Sequence, residues 1–220
     1  DGVVSIARFT RDELLASGLD PATIDDPRYV NARGHVAANT FDADFFGIEA
    51  DEARFMDPQH RVGMEVAHDA VCDAGLLESD QTQPRRYAVL MAMSTNAYYP
   101  MVCRWMDENG PEGLHPRTIM NSFNGALAAR VSHQYNLTGP VLAVDTACSS
   151  FLTALAHGVD AIRNGCDGAV VGGVNLLSGA YTTMLCNAGG ITTANPFTRV
   201  FDEEADGTLI GEGAVVVVLE

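Results

Sequence analysis

Cys148 stands near the end of the run Val-Leu-Ala-Val-Asp-Thr-Ala-Cys-Ser-Ser (141–150), where a short apolar strand gives way to small residues that open a helix. A strand that stops at a small-residue turn pushes the side chain at the turn clear of the backbone. The helix that follows aims unpaired N–H groups and the positive end of its dipole at the sulfur. That placement favours thiolate over thiol and steadies an oxyanion. These are the conditions of nucleophilic catalysis, and they single out Cys148 as the candidate nucleophile.

The other chemistry-bearing residues lack such a context. Free cysteine is usually a small buried hydrophobe, and Cys72, Cys103 and Cys166 are read that way. The five cysteines are odd in number and contain no C-x-x-C pair, so neither a disulfide framework nor a zinc site is expected. The six histidines (35, 60, 68, 115, 133, 157) form no H-x-x-x-H pair; no metal is expected, and each is read as surface or core. His157 lies nine residues beyond Cys148, between two and three helical turns, and so points away from the thiol. Asp145, one residue from the end of the strand, is read as bonding backbone groups rather than serving as a base. The pair Gly172-Gly173 has neither G-x-G-x-x-G nor G-K-[ST] around it and gives no nucleotide loop.

Several elements must hold the thiol in place. Asp57 is a good N-cap and Pro58 suits the first helical position. Val62, Val66, Ala70 and Ala74 recur every four residues until Gly75, which predicts an amphipathic helix. Tyr87–Ser94 shows no alternation and reads as a strand covered on both faces. Residues 95–120 read as loop with short helices, and 121–135 as a helix. Val141–Asp145 reads as a buried strand, Ser149–Arg163 as a helix ended by Asn164-Gly165, Ala169–Val174 as a third strand and Ala214–Glu220 as a fourth. Residues 1–47 read as a wrapping segment with one short helix at Arg11–Ser17. Strands alternating with helices predict a layered α/β domain with a mixed, mostly parallel sheet.

Composition bounds the function. The chain has 220 residues, 47% of them hydrophobic, which is enough to bury a sizeable core. Thirteen Lys and Arg against 29 Asp and Glu leave a net charge of −16, which repels phosphates and anionic lipid, so neither nucleic acid nor a membrane is expected as partner. No apolar run approaches the ~20 residues that cross a bilayer and no signal segment opens the chain, which makes a cytoplasmic location the default.

Sequence blocks in one order resemble the β-ketoacyl synthase (ketosynthase) domains of type I polyketide synthases. Phe-Asp-Ala-Asp-Phe-Phe-Gly-Ile (41–48) leads into Ala-Arg-Phe-Met-Asp-Pro-Gln-His-Arg (53–61), similar to the family's M-D-P-Q-Q-R with His60 in place of the second Gln. Ala-Arg-Val-Ser-His-Gln-Tyr-Asn-Leu-Thr-Gly-Pro (129–140) precedes Val-Asp-Thr-Ala-Cys-Ser-Ser (144–150). Gly-Gly-Val-Asn (172–175) and Phe-Asp-Glu-Glu-Ala-Asp-Gly-Thr-Leu-Ile-Gly-Glu-Gly-Ala (201–214) follow.

The resemblance implies a thiolase-like fold, of which residues 1–220 match the N-terminal half. It implies a partial domain without the family's first strand and its C-terminal half. It also implies that the missing strand would lie at the centre of the sheet, between the strands at 87–94 and 169–174, leaving both unpaired and the isolated chain aggregated or molten. For function it implies an acyltransferase. Cys148 would accept an acyl chain from the phosphopantetheine arm of an acyl carrier protein, with no bound cofactor. A malonyl-type thioester would then condense with that chain by decarboxylative Claisen chemistry in polyketide or fatty acid synthesis. The family's two enolate-stabilising histidines, in H-G-T-G-T and Asn-Ile-Gly-His contexts, do not occur here, so the chain alone is not expected to condense. Leu185 and Cys186 fall where the family lines its acyl pocket. Phe201, Asp202, Asp206 and the turn Gly211-Glu212-Gly213 match a segment of structural role under the active site. A homodimer built on Val141–Asp145 is implied as well. The alternatives are a non-catalytic ketosynthase-like partner subunit and a thiolase-like enzyme acting on acyl-CoA.

Overall fold

The computed structural model describes residues 6–26, 29–78, 83–93, 98–112, 114–177, 186, 189–193, 195 and 197–220. Within the segment read as wrapping chain, two short strands, β1 (Ile6–Arg8) and β2 (Ala32–Gly34), pair antiparallel with Ala7 opposite Arg33. Between them lie α1 (Arg11–Ala16) and α2 (Pro21–Ile24). α1 starts with a capping box in which Thr10 and Glu13 satisfy each other's backbone N–H groups. Two strands of three residues leave no periodicity to read, so this strand pair was not legible in the sequence.

Next in the chain come α3 (Ala50–Arg54) and α4 (Pro58–Asp73). Asp57 caps α4 as its sequence requires, accepting from the Gln59 N–H at 2.8 Å, and Gly75 leaves the helix with φ +69°. The buried stripe, however, is not 62/66/70/74. Gln59, His60, Val62, Gly63, Met64, Ala67 and Val71 are buried, whereas Val66 and Ala70 are half-buried and Ala74 is exposed. The face turns because Gly63 is its point of closest approach: a Cβ there would stand 2.7 Å from Leu127 Cδ2. A count of apolar side chains misses a contact made by the absence of one.

Strand β3 (Tyr87–Met93) is buried at every position, as its unbroken apolar run predicts. α5 (Tyr99–Asn109) is a full helix of 11 residues where short helices in a loop were expected. A 3₁₀ turn at Met120–Ser122 precedes α6 (Asn124–Gln134). β4 (Val141–Val144), α7 (Ser150–Arg163), β5 (Gly168–Asn175) and β6 (Gly213–Leu219) complete the order.

Four strands form one sheet in the order β4-β3-β5-β6. β3 pairs in parallel with β4 (Val89 opposite Val141) and with β5, from Tyr87 opposite Gly168 to Met93 opposite Val174. This overturns the expectation of a gap between β3 and β5. The two buried strands satisfy each other's backbone along seven residue pairs, so the instability argued from unpaired groups at that place does not arise. β4 corrects a second expectation: it ends the sheet's order, and Val141, Leu142 and Ala143 are exposed while Val144 alone is buried. A four-residue apolar run does not distinguish a central strand from an edge strand.

α7 closes one face of the sheet. Ala154, Phe151, Leu155, Ala161 and Ile162 pack with Ala88, Leu90, Val144, Ala169 and Val171. Gly172 and Gly173 are strand residues with packing duties. A Cβ on Gly173 would stand 3.2 Å from the Phe151 Cβ, and one on Gly172 2.6 Å from the Met91 Cε.

The chain divides into two compact units. One comprises Asp1–Val36 with Leu176–Gly213, and the other Ala37–Asn175 with Ala214–Glu220. In the first, the backbones of Gly34 and the 211–213 turn run close: the Gly34 N–H donates to Ile210 O at 2.9 Å, and a Cβ on Gly34 would lie 3.0 Å from Gly211 Cα. The buried Glu212 carboxylate accepts from the Val36 and Leu177 N–H groups at 2.9 and 3.0 Å and meets His35 Nδ1 at 2.8 Å.

His60, the residue that departs from the family pattern, is 0% exposed, and neither ring nitrogen has a hydrogen-bond partner among the described residues. Burial, reinforced by the Arg130 charge, pushes its pKa down to about 3. The unfolded chain therefore binds a proton near pH 6.5 that the folded chain refuses until about pH 3. The stability tied to neutral His60 is whole above pH 6.5 and is lost as pH falls through that window. Between pH 7 and 4.5 the loss is about 3 kcal/mol. His60→Gln, which cannot titrate, is expected to lose that much less stability over the same interval. Urea unfolding of both proteins at the two pH values checks it, and parallel losses would exclude His60 as the cause.

Candidate active site

The thiol is placed by a short turn locked by its own neighbours. After β4 the chain reaches Asp145, whose carboxylate accepts from the Ala147 N–H at 3.1 Å. This is the backbone role expected for Asp145. Ala147 takes φ +55°, a left-handed conformation that costs a residue with a Cβ free energy and that recurs at functional turns. Ser150, buried at the start of α7, holds the turn from inside. Its Oγ accepts from the Thr146 N–H at 2.8 Å and donates to Ala147 O at 2.6 Å. The Ser149 hydroxyl lies 2.8 Å from Thr146 O and 2.9 Å from Thr146 Oγ1, and Thr146 Oγ1 lies 3.1 Å from Thr153 Oγ1.

Within this frame Cys148 sits in the 3₁₀ turn Ala147–Ser149, exposed, two residues before α7 begins. The small residues around it are therefore not filler. Threonine and serine supply the hydroxyls that fix the turn and hold Ala147 at its unfavourable positive φ. An exposed sulfur on a strained strand-to-helix turn is geometrically ready to attack an electrophilic carbonyl from solvent.

The remaining candidates fall elsewhere. Leu185 lies outside the described residues. Cys186 is half-buried in the unit built from Asp1–Val36 and Leu176–Gly213, and its carbonyl accepts from the Ile191 N–H at 3.0 Å. In the same unit Asp206 accepts from Thr193 Oγ1 at 2.6 Å and Asn195 Nδ2 at 2.9 Å. Those bonds draw its pKa below the usual carboxylate range. Asp202 accepts from the Glu204 N–H at 2.8 Å. These are structural roles, whereas Phe201 is fully exposed at φ +57°. Cys166 is buried and Cys103 half-buried as expected; Cys72 is exposed, which corrects its reading as a buried hydrophobe. His157 is exposed on α7.

A group that the sequence reading missed lies under the supporting helices. Glu52, 1% exposed, faces Arg130 and Arg117, with His115 Nδ1 3.7 Å from its Oε2. Burial alone would raise its pKa, but the bond to Arg130 and the surrounding positive charges outweigh that and hold it below the ordinary value. A cavity of about 620 Å³ is lined by Phe46, Met64, Met120, Phe123, Arg130 and their neighbours, with Cys148 not among the lining residues. Among the described residues no group of three His, Cys, Asp or Glu side chains could hold a metal ion, and no helix is long and apolar enough to cross a membrane.

Comparison with known proteins places the whole chain among relatives of one kind. The family model for the β-ketoacyl synthase N-terminal domain matches residues 1–220. The 6-methylsalicylic acid synthase of Penicillium expansum is 36% identical over 204 residues, covering 91% of this chain and 11% of that protein. The fatty acid synthase of Anser anser anser is 34% identical over 226 residues, covering 94% and 60%. The chain thus spans only part of the relatives it matches. Among solved structures, ketosynthase twelve of the bacillaene polyketide synthase of Bacillus amyloliquefaciens superposes with a TM-score of 0.77 at 28% identity, covering 98% of this chain and 37% of that one. The oxazolomycin ketosynthase domain of Streptomyces albus gives 0.80 at 26%, with coverage of 98% and 37%.

Proposed function

The chain belongs to the β-ketoacyl synthase family and has the thiolase-like fold of its ketosynthases, and we propose that within its full-length parent Cys148 is the acyl-accepting nucleophile of chain extension. The observation that carries this reading is the exposed sulfur on the strained turn between β4 and α7. In the first stage Cys148 Sγ attacks the thioester carbonyl of an acyl group on a carrier protein's phosphopantetheine arm. The new S–C bond forms, the old one breaks, and the thiol proton goes to the departing pantetheine thiolate. The start of α7, two residues beyond Cys148, leaves N–H groups without helical partners, the kind of donor that stabilises a tetrahedral oxyanion. In the second stage a malonyl-type thioester on a carrier loses carbon dioxide. The enolate carbon attacks the Cys148 thioester, a C–C bond forms and the thiolate is released. Leu185 and Cys186 belong to the acyl pocket in this reading, and the stabilising histidines come from the family's second half. No resident cofactor or metal is required, and the setting is cytoplasmic.

Mass spectrometry of the full-length parent after incubation with acyl-carrier and acyl-CoA donors tests the reading. Acyl mass on the peptide holding Cys148, gained from the carrier donor, is the expected result. Loading from acyl-CoA alone would favour a thiolase-like enzyme, and no loading a non-catalytic partner.

The reading includes a homodimer. β4 ends the sheet's order with Val141 38% and Leu142 46% exposed, an apolar edge of the kind that pairs with a second strand. Pairing two copies there would bury these side chains next to the nucleophile turn. Leu142→Asp would place a charge in that interface, and is expected to weaken dimerisation at least about tenfold, an order set by the ~1.4 kcal/mol that each decade requires. Light scattering across a dilution series reads this directly. A stable, active monomer would remove the dimer from the proposal.

A further inference from the structure

One cluster on α4 has no part in the chemistry proposed for Cys148. His68 and Cys72 are four residues apart on the helix, and Cys72 Sγ lies 3.8 Å from His68 Nε2. The other ring nitrogen, Nδ1, lies 3.1 Å from the hydroxyl of Tyr135, a buried side chain just past α6. Phe45 and Phe46 set their rings edge-on to the imidazole, with centroids 4.9 and 6.3 Å away. The ring is thus held on several sides with one nitrogen aimed at an exposed sulfur. This is the arrangement of a nucleophile, a base and an orienting group.

We propose that Cys72 is a second reactive thiol, with His68 as its base and Tyr135 orienting the ring, and that it takes up small cationic disulfides as a mixed disulfide. With Nδ1–H donated to the Tyr135 oxygen, Nε2 carries the lone pair that accepts the thiol proton. Tyr135 remains a neutral phenol through the working range, because burial, with the charges of Cys72 and Asp69, pushes its pKa up to about 12. The sulfur attacks one sulfur of the incoming disulfide, the S–S bond breaks, and the departing thiolate takes the proton back from His68. The protein thiol is oxidised to one half of the mixed disulfide, and the other half of the reagent is reduced to a thiol. The preference for a cation follows from the surroundings: Asp69 and Asp73 flank Cys72 on the same helix in a chain of net charge −16. They repel a reagent such as glutathione disulfide, whose four carboxylates outnumber its two ammonium groups, and attract cystamine.

The test follows incorporation of cystamine into each cysteine peptide of the full-length protein in a Cys148→Ser background. Cys72 is expected to react ahead of Cys103 and Cys166, and faster with cystamine than with glutathione disulfide. His68→Phe keeps the aromatic packing and removes the base; it should slow Cys72 by about tenfold or more while leaving Cys103 unchanged. A second measurement needs no substitution. Cys72 in the native protein should react faster than the same cysteine in concentrated urea, where it is an ordinary thiol. A native rate at or below the unfolded rate, or one that His68→Phe leaves unchanged, overturns the proposal.

Discussion

Cys148→Ser abolishes acyl loading. The expected loss of covalent acyl-enzyme, measured by intact mass after incubation with an acyl-carrier donor, is at least about 10³-fold, the scale on which removing a covalent nucleophile acts. Serine is the strict comparison because it preserves the shape of the turn. Ser150 still bridges Thr146 N–H and Ala147 O, and Ala147 keeps its positive φ. What changes is the atom: a hydroxyl ionises far less readily than a thiol, and nothing in the turn is placed to act as its base. Asp145 is engaged by the Ala147 N–H. Cys103→Ser, by contrast, should load within about twofold of the parent, since surface or half-buried substitutions away from the site carry little energy. Loading that survived in Cys148→Ser and vanished in Cys103→Ser would move the nucleophile to α5 and dismiss the strand-to-helix argument.

The strand-to-helix turn that holds Cys148 was legible in the sequence because its signal is local. A strand end, small residues and a helix start fall within ten residues, 141–150, and the hydroxyls that fix the turn come from the same stretch. α4 was legible for the same reason at its ends, where Asp57, Pro58 and Gly75 act on adjacent backbone. Its buried face was not, because Gly63 packs by bringing Leu127 of a distant helix close. The order of the sheet was the largest miss. The direct pairing of β3 with β5 joins segments about eighty residues apart, and no property of either run specifies its neighbour. Exposure of β4 is likewise a consequence of that order, since its residues are as apolar as those of the buried strands. The relay at Cys72 spans one helix and a tyrosine 67 residues beyond His68, so only half of it could be read from spacing.

Glu52→Ala is expected to destabilise the chain by about 3–5 kcal/mol, the cost of leaving a buried partner charge uncompensated. In sequence Glu52 belongs to the acidic stretch Glu-Ala-Asp-Glu-Ala-Arg (49–54) and looks like a solvated helix face. Its partners lie 65 residues away at Arg117 and 78 away at Arg130, beyond the reach of local spacing. In the structure its two oxygens face those guanidinium groups, and Arg130 also bonds Asn121 Oδ1. The two arginines are unequal. Arg130 has 18% of its side chain exposed, so removing Glu52 strands its charge; Arg117, at 65%, is screened by water. Arg117→Ala should therefore cost only about 0–1 kcal/mol. Glu52→Leu combined with Arg130→Met removes both charges together and should cost much less than the sum of the single changes, because the penalty belongs to the unpaired ion rather than to the lost bond. The consequence reaches the thiol through packing: Glu52 ties α3 to α6, and α6 lies against β3 and β4, the strand that ends at the nucleophile turn. Urea unfolding of these three variants, together with Glu52→Leu and Arg130→Met alone, decides the energetic claim. Equal costs for Glu52→Ala and Arg117→Ala would show that the group behaves as a surface salt bridge and not as a buried clamp.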